Sequence, residues 1–309
     1  MKQSCSSFYS FSPFILLACF AGCAERPEPA SKEKPIPQPV TQAAPETTTA
    51  QETHTTPSTI MGSFEELVWA DEFDGSQVNR EEWIFETGAG GWGNNELQNY
   101  TDGDNVEVSN GTLKITARQE KPGNDIGNFT STRMRTKSSW KYGRIEISAK
   151  IPANTGNGVW PAIWMLSDTF PDIPWPKCGE IDIMEYVSWS EDNVHFTVHS
   201  EANNHMKGNH LNSGAISHPT IDEAFHTYGF SWTPDRIEFF IDDPSVVQYS
   251  VDRPDPANQD NWPFDSPFFL ILNIAVGGSW GGERGIEESA FPSTMEIDFV
   301  RIYGFNPDN

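Results

Sequence analysis

The chain predicts an all-β domain, a sandwich or barrel, and three observations carry that prediction. Short runs alternate apolar and polar residues, as in Thr112–Arg118 and Arg144–Ile151, and such a period of two puts one strand face inward and the other in water. The 309 residues include 24 glycines and 23 prolines, which favours many turns over long helices. No amphipathic stretch is long enough to read as a helix, and no internal repeat is present.

The elements follow in order from the amino terminus. Residues 1–22 read as an export signal: Lys2 supplies a positive end, and Phe14–Ala21 an apolar stretch too short to span a bilayer. Phe20-Ala21-Gly22-Cys23 resembles a bacterial lipobox, with Phe20 where leucine is usual, so Cys23 is the expected lipidation site. Ordinary secretory cleavage near Ala21 or Ala24 is the alternative. Several acyl chains on Cys23 would anchor the protein stably, since one chain binds only marginally. Ala24 does not look like an inner-membrane retention signal, so an outer-membrane anchor facing the periplasm or the cell surface is expected. Residues 23–62 are rich in Pro, Thr, Ala, Gln and Glu. They have too little apolar surface to offset their ordering entropy and read as a disordered tether.

Residues 63–309 form the expected globular domain, too large for an immunoglobulin-like unit but suited to a jelly roll with long functional loops. Further strands are predicted at 226–232, 236–241 and 295–303. Phe268–Val276 is almost wholly apolar, as a strand covered on both sides would be. Loops 119–130, 167–177 and 201–218 are expected to shape the ends of a cleft. Cys5, Cys19 and Cys23 lie in the leader and only Cys178 lies beyond, which argues against a disulfide framework. The net charge of -24 repels phosphate backbones and excludes an overall basic nucleic-acid footprint. A monomer is expected.

Chemistry concentrates in Gly179-Glu180-Ile181-Asp182-Ile183-Met184-Glu185-Tyr186-Val187. In a regular strand Glu180 and Asp182 share a face while Glu185 points the other way. One extra residue, a β-bulge around Ile183-Met184, rotates Glu185 onto that same face. Three like charges on one surface raise at least one pKa, and a site that needs one ionised and one protonated carboxyl gains from it. Glycosidic bond cleavage is such chemistry; in retaining enzymes the two carboxyls stand about 5–5.5 Å apart. A solvated acidic strand or a cation site is the alternative reading of these acids taken alone.

The segment Glu180–Glu185 resembles the bulged signature of glycoside hydrolase family 16, in its laminarinase form. Trp69–Phe73, Gly90–Gln98, Trp140–Arg144, Trp160–Leu166, Trp262–Asp265, Ala275–Gly278 and Asp298–Tyr303 resemble the same enzymes, in the family's order, over residues 64–304. The resemblance implies a β-jelly roll with a concave substrate cleft and endo-hydrolysis of β-1,3-glucans with retention, without an organic cofactor. It implies Glu180 as nucleophile, Glu185 as general acid/base, and Asp182 holding the nucleophile's protonation state. Mixed-linkage glucan, sulfated galactans such as agar, and non-catalytic glucan recognition are the alternatives. The acidic domain disfavours sulfated chains, and recognition proteins typically lose the catalytic glutamates.

Indole rings stack well on the apolar faces of sugars. By resemblance Trp160, Trp164 and Trp175 border the non-reducing-side subsites, Asn95 and Arg133 line the cleft, and His199 hydrogen-bonds near the acid/base. Trp92 and Trp280 lie in glycine-rich loops, where core packing is a weaker alternative; Trp280 is expected on the leaving-group side. His195, His199, His205 and His210 match no common zinc spacing. Many family members carry one calcium ion, and its candidates here are Glu72, the Gly111 carbonyl and Asp298, which converge only if the first and last strands pair.

Overall fold

The computed structural model describes residues 56–58, 60–218 and 220–308, all inside one compact unit, Gln51–Asn309. The export signal, Cys23 and most of the expected tether lie outside the described residues. Twelve strands carry the fold: β1 (Leu67–Asp71), β2 (Trp83–Glu86), β3 (Thr112–Gln119), β4 (Arg133–Thr136), β5 (Gly143–Lys150), β6 (Val159–Ser167), β7 (Glu180–Glu185), β8 (Asn193–His199), β9 (His226–Trp232), β10 (Arg236–Ile241), β11 (Phe268–Val276) and β12 (Ser293–Tyr303). Helical structure among the described residues is two single 3-10 turns, His205–Lys207 and Glu288–Ala290. No helix among these residues is long and apolar enough to cross a membrane.

The strands make two sheets. One runs in the order β8-β7-β6-β11-β4-β2, with Leu211–Asn212 and Ile216–Ser217 added to β8. The other is centred on β10-β9-β5-β12-β3, and β1 also pairs with β12. The first and last long strands are therefore neighbours. The expected strands at 226–232, 236–241 and 268–276 coincide with β9, β10 and β11, while β12 begins two residues before the expected 295. Thr56–Pro57, inside the segment expected to be a tether, form a short ladder with Val246–Val247. Ser58 Oγ there donates to Glu238 at 2.6 Å.

Period-two alternation sends one face of each strand into a shared core. On β6 and β8 the core residues are Val159, Ile163 and Met165, and Val194, Phe196 and Val198. On β11 alternate residues from Phe268 to Val276 enter that core, while Phe269 and Ile271 turn outward into a smaller apolar cluster with Leu166 and Cys178. This explains a strand apolar on both faces. The outward face of the β8-β7-β6-β11-β4-β2 sheet is left to carry chemistry.

Candidate active site

The carboxylates of β7 depend on a bulge. Pairing with β6 matches Glu180 with Leu166, Asp182 with Trp164, Met184 with Ile163 and Glu185 with Ala162, so Ile183 is the extra residue. Opposite, β8 pairs Glu180 with His199, Asp182 with Thr197 and Glu185 with His195. Ile181, Ile183 and Met184 all point into the core and are fully buried. Two successive core residues reset the alternation, and Glu180, Asp182 and Glu185 share the outward face. Gly179 leads into the strand with φ +93°, and a Cβ there would stand 2.7 Å from Pro263 Cγ. Only glycine fits both the turn and that contact.

Burial pushes the pKa of all three acids upward. It lifts Glu180 to about 7, opposed by a hydrogen bond from Asp182 and the charge of Arg133. Glu185 rises to about 8 through burial and the charge of Glu180, and the Trp160 indole N–H opposes this by donating to its Oε1 at 3.1 Å. Asp182, 3% exposed, is lifted well above the carboxylate range by burial and then by its two acidic neighbours. Its buried Oδ2 has no hydrogen-bond partner among the described residues. Burial and the nearby His205 and His210 push His199 down to about 3, so the ring is neutral. Its Nε2 stands 3.4 Å from Asp182 Oδ2 and 3.7 Å from Glu180 Oε1, so His199 lies opposite Glu180 and not, as expected, beside Glu185, whose cross-strand partner is His195. Glu180, Asp182 and His199 offer atoms close enough to hold a metal ion, so the cation-site alternative has a geometric basis too. The raised carboxyl pKa values disfavour it at neutral pH, because a metal needs the ionised forms.

Aromatic rings flank both ends of the acid row. Trp160 meets Trp280 edge-to-face at 5.3 Å, and Trp280 meets His195 at 5.0 Å, all at the Glu185 end. Trp175 meets His199 at 5.8 Å and His205 at 5.0 Å at the Glu180 end. The structure thus groups Trp160 with Trp280 and sets both apart from Trp175. Trp164 donates from its indole to Asn273 Oδ1 at 2.7 Å, and the Arg133 guanidinium lies 4.7 Å from its ring. Arg133 also lies over Trp92 at 5.0 Å, and its Nε donates to Glu86 Oε2 at 2.5 Å. Asn95 is exposed and donates to Ser279 Oγ at 3.0 Å, so it joins the two glycine-rich loops that carry Trp92 and Trp280.

Sequence reasoning missed the polar support beneath these rings. Asn273 donates to Tyr100 Oη at 3.1 Å, Tyr100 donates to Glu96 Oε2 at 3.4 Å, and Gln98 donates to the same oxygen at 2.6 Å. Burial raises the pKa of Glu96. Asn273, a lone polar residue within apolar β11, was the available signal; Glu86 and Tyr100 gave none. The expected calcium candidates do gather: β1 ends at Asp71 opposite Val300, and β3 begins beside Ile297. Glu72 and Gly111 therefore flank the irregularity in β12 at Asp298. Both Glu72 oxygens, however, accept from Arg301 at 2.8 Å, and Asp298 is exposed.

Comparison with known proteins agrees with this geometry. Residues 93–301 match the pattern of Glycosyl hydrolases family 16. The chain is 48% identical to a beta-glucanase of Rhodothermus marinus over 77% of its own length and 85% of the relative's. It is 38% identical to a glucan endo-1,3-beta-glucosidase of Cryptopygus antarcticus over 78% of its length and 92% of the relative's. The solved laminarinase structure from Rhodothermus marinus superposes with a TM-score of 0.72 at 44% identity, covering 78% of this chain and 98% of that one. A jelly-roll sandwich with three acids on one bulged strand, related at this level to known glucanases, belongs to glycosyl hydrolases family 16.

Proposed function

We infer that this family 16 hydrolase is a retaining endo-hydrolase of β-1,3-glucans. The observation that carries the reading is the β7 bulge, which sets Glu180 and Glu185 on one outward face. Its near relatives named for β-glucan and endo-1,3-β-glucoside cleavage support the substrate. Glu180, ionised, attacks the anomeric carbon, while Glu185 gives its proton to the departing glycosidic oxygen. Glu185, now a base, takes a proton from water, and that water displaces Glu180 with retention. Neutral Asp182 hydrogen-bonds Glu180 and favours its ionised form. Trp160, Trp175 and Trp280 offer stacking faces along the row, with Trp164, Arg133, Trp92, Asn95 and His199 around them. No organic cofactor takes part in the chemistry of this family's hydrolases. Product analysis of residues 51–309 on linear β-1,3-glucan, mixed-linkage glucan and agarose tests the reading. Short oligosaccharides from the β-1,3-glucan, lost in Glu180→Gln, are the expected result; binding without cleavage, or cleavage of agarose alone, overturns it.

Two further readings belong to the same proposal. Acylation at Cys23 tethers the monomeric catalytic domain to the outer membrane, supported by the Phe20–Cys23 lipobox. Cys23→Ser releases it into the soluble fraction, and membrane retention of that variant contradicts the anchor. A structural calcium ion would be held by Glu72, the Gly111 carbonyl and Asp298, binding the first and last strands together. The Arg301 guanidinium on Glu72 competes with it. A melting temperature lowered by chelation supports the ion, and an unchanged one excludes it.

A further inference from the structure

Three side chains that glucan hydrolysis leaves unused come together where the two sheets meet at an edge. His218 follows Ile216–Ser217, which pairs with the start of β8. His226 opens β9 and Asp242 follows β10, both in the other sheet. Each side chain offers a ligand atom, and these atoms all lie within 4.8 Å of one another. The two imidazole rings stand 4.3 Å apart, inclined at 65°.

The hydrogen bonding leaves one of the two imidazoles incompletely used. His226 Nδ1 lies 2.9 Å from Asp242 Oδ2, and its Nε2 lies 3.1 Å from the Thr220 carbonyl oxygen. Nδ1 thus faces the carboxylate, and Nε2 faces the Thr220 backbone. The Thr220 hydroxyl, also 3.1 Å from Nε2, offers a second partner there. His218 Nδ1 beside it is buried and has no partner among the described residues. Asp242 is fixed for the role: its other oxygen accepts the Thr227 N–H at 2.8 Å, and its backbone is held at φ +64°. A cation bound to His226 Nδ1 leaves Nε2–H to donate to the Thr220 carbonyl. Ligating histidines commonly use their other N–H in this way.

We propose that His218, His226 and Asp242 form a binding site for a divalent transition-metal cation of the zinc class, clipping the segment beside β8 to the strand ends of the other sheet. Two imidazoles and a carboxylate suit zinc, whose ligand distances are about 2.0–2.2 Å. The 2.9 Å separation of His226 and Asp242 opens by only a few tenths of an ångström to admit it. The site lies outside the acid row, so its loading acts on stability and not on the chemical step.

The test is zinc binding to residues 51–309, by calorimetry and by metal analysis after dialysis. It is made in a Glu180→Gln background and repeated with unaltered Glu180, so that zinc held by the catalytic acids is recognised as such. One zinc per chain that survives Glu180→Gln, together with a melting temperature raised by several degrees, is expected. His218→Ala should weaken that binding at least roughly tenfold and remove the thermal shift, while glucan hydrolysis without added zinc continues. Asp242→Asn, which keeps the bond to Thr227, should weaken binding likewise and serves if His218→Ala folds poorly. Equal zinc affinity in the parent and both variants, or no binding at micromolar zinc, overturns the site.

Discussion

The acid row on β7 and the opposite sheet treat their carboxylates in opposite ways. On the sheet that carries β5, β10 and β12, acids meet guanidinium groups: Glu146 with Arg144 at 2.6 Å, Asp252 with Arg236 at 2.5 Å, and Glu72 with Arg301 at 2.8 Å. The hydrogen bond from Arg301 holds Glu72 below the usual carboxylate pKa. On β7, Glu180, Asp182 and Glu185 have no guanidinium in direct contact among the described residues, since the Nε of nearby Arg133 is given to Glu86, and burial drives their pKa values up. Paired acids brace a surface; unpaired buried acids are destabilising at neutral pH and persist where the chemistry needs them.

The largest expected contrast is in turnover. Glu180→Gln should lower kcat on linear β-1,3-glucan by roughly a thousandfold or more, whereas Arg301→Met on the other sheet should leave it within about twofold. Reducing-end release measures both, and equal losses would erase the distinction between the sheets.

Stability should move the other way. A carboxyl whose folded pKa is raised binds its proton more tightly in the folded state. Its contribution is fully present below the unfolded value of 4.5 and is lost as pH rises through about 7. Glu180→Gln removes that loss, so the variant should melt higher than the parent at pH 8, by on the order of 1–3 kcal/mol, with the gain fading toward pH 4. A variant less stable at pH 8 would show that the acid row is not strained. Melting curves at the two pH values decide it.

The pH–rate profile sharpens the same point. As a coupled pair, Glu180 and Glu185 should give kcat/KM a bell that falls below about pH 7, where the nucleophile is protonated, and above about pH 8, where the acid is lost. Trp160→Phe removes a donor that favours ionised Glu185, so the basic limb should move upward while the acidic limb stays. An unmoved basic limb contradicts that role for Trp160. The smallest effect belongs to the braced sheet: Arg301→Met should destabilise by at most about 1 kcal/mol, less at high salt, because the pair is partly exposed. Chemical denaturation at two salt concentrations reads it.

What could be read from the sequence follows from the range of the forces involved. The bulge was legible because Glu180, Asp182 and Glu185 violate a period of two that the apolar residues between them restore. β11 was legible because a strand buried on both faces must be apolar throughout. The pairing of Arg133 with Glu86, and the chain from Trp164 through Asn273 and Tyr100 to Glu96, depend on registers between distant segments. No local pattern encodes those registers. The same holds for His218, His226 and Asp242, which only the meeting of two sheets brings together.

The most direct test of the account assigns the two glutamates their separate roles. Glu180→Ala and Glu185→Ala are each given an activated β-glucoside of β-1,3-linked glucose together with azide, and the anomeric configuration of the glycosyl azide is read by proton NMR. The account predicts the α-azide from Glu180→Ala, where azide replaces the nucleophile in one displacement. It predicts the β-azide from Glu185→Ala, where azide intercepts the glycosyl-enzyme formed on Glu180. The reverse pairing, or the same anomer from both variants, would contradict it.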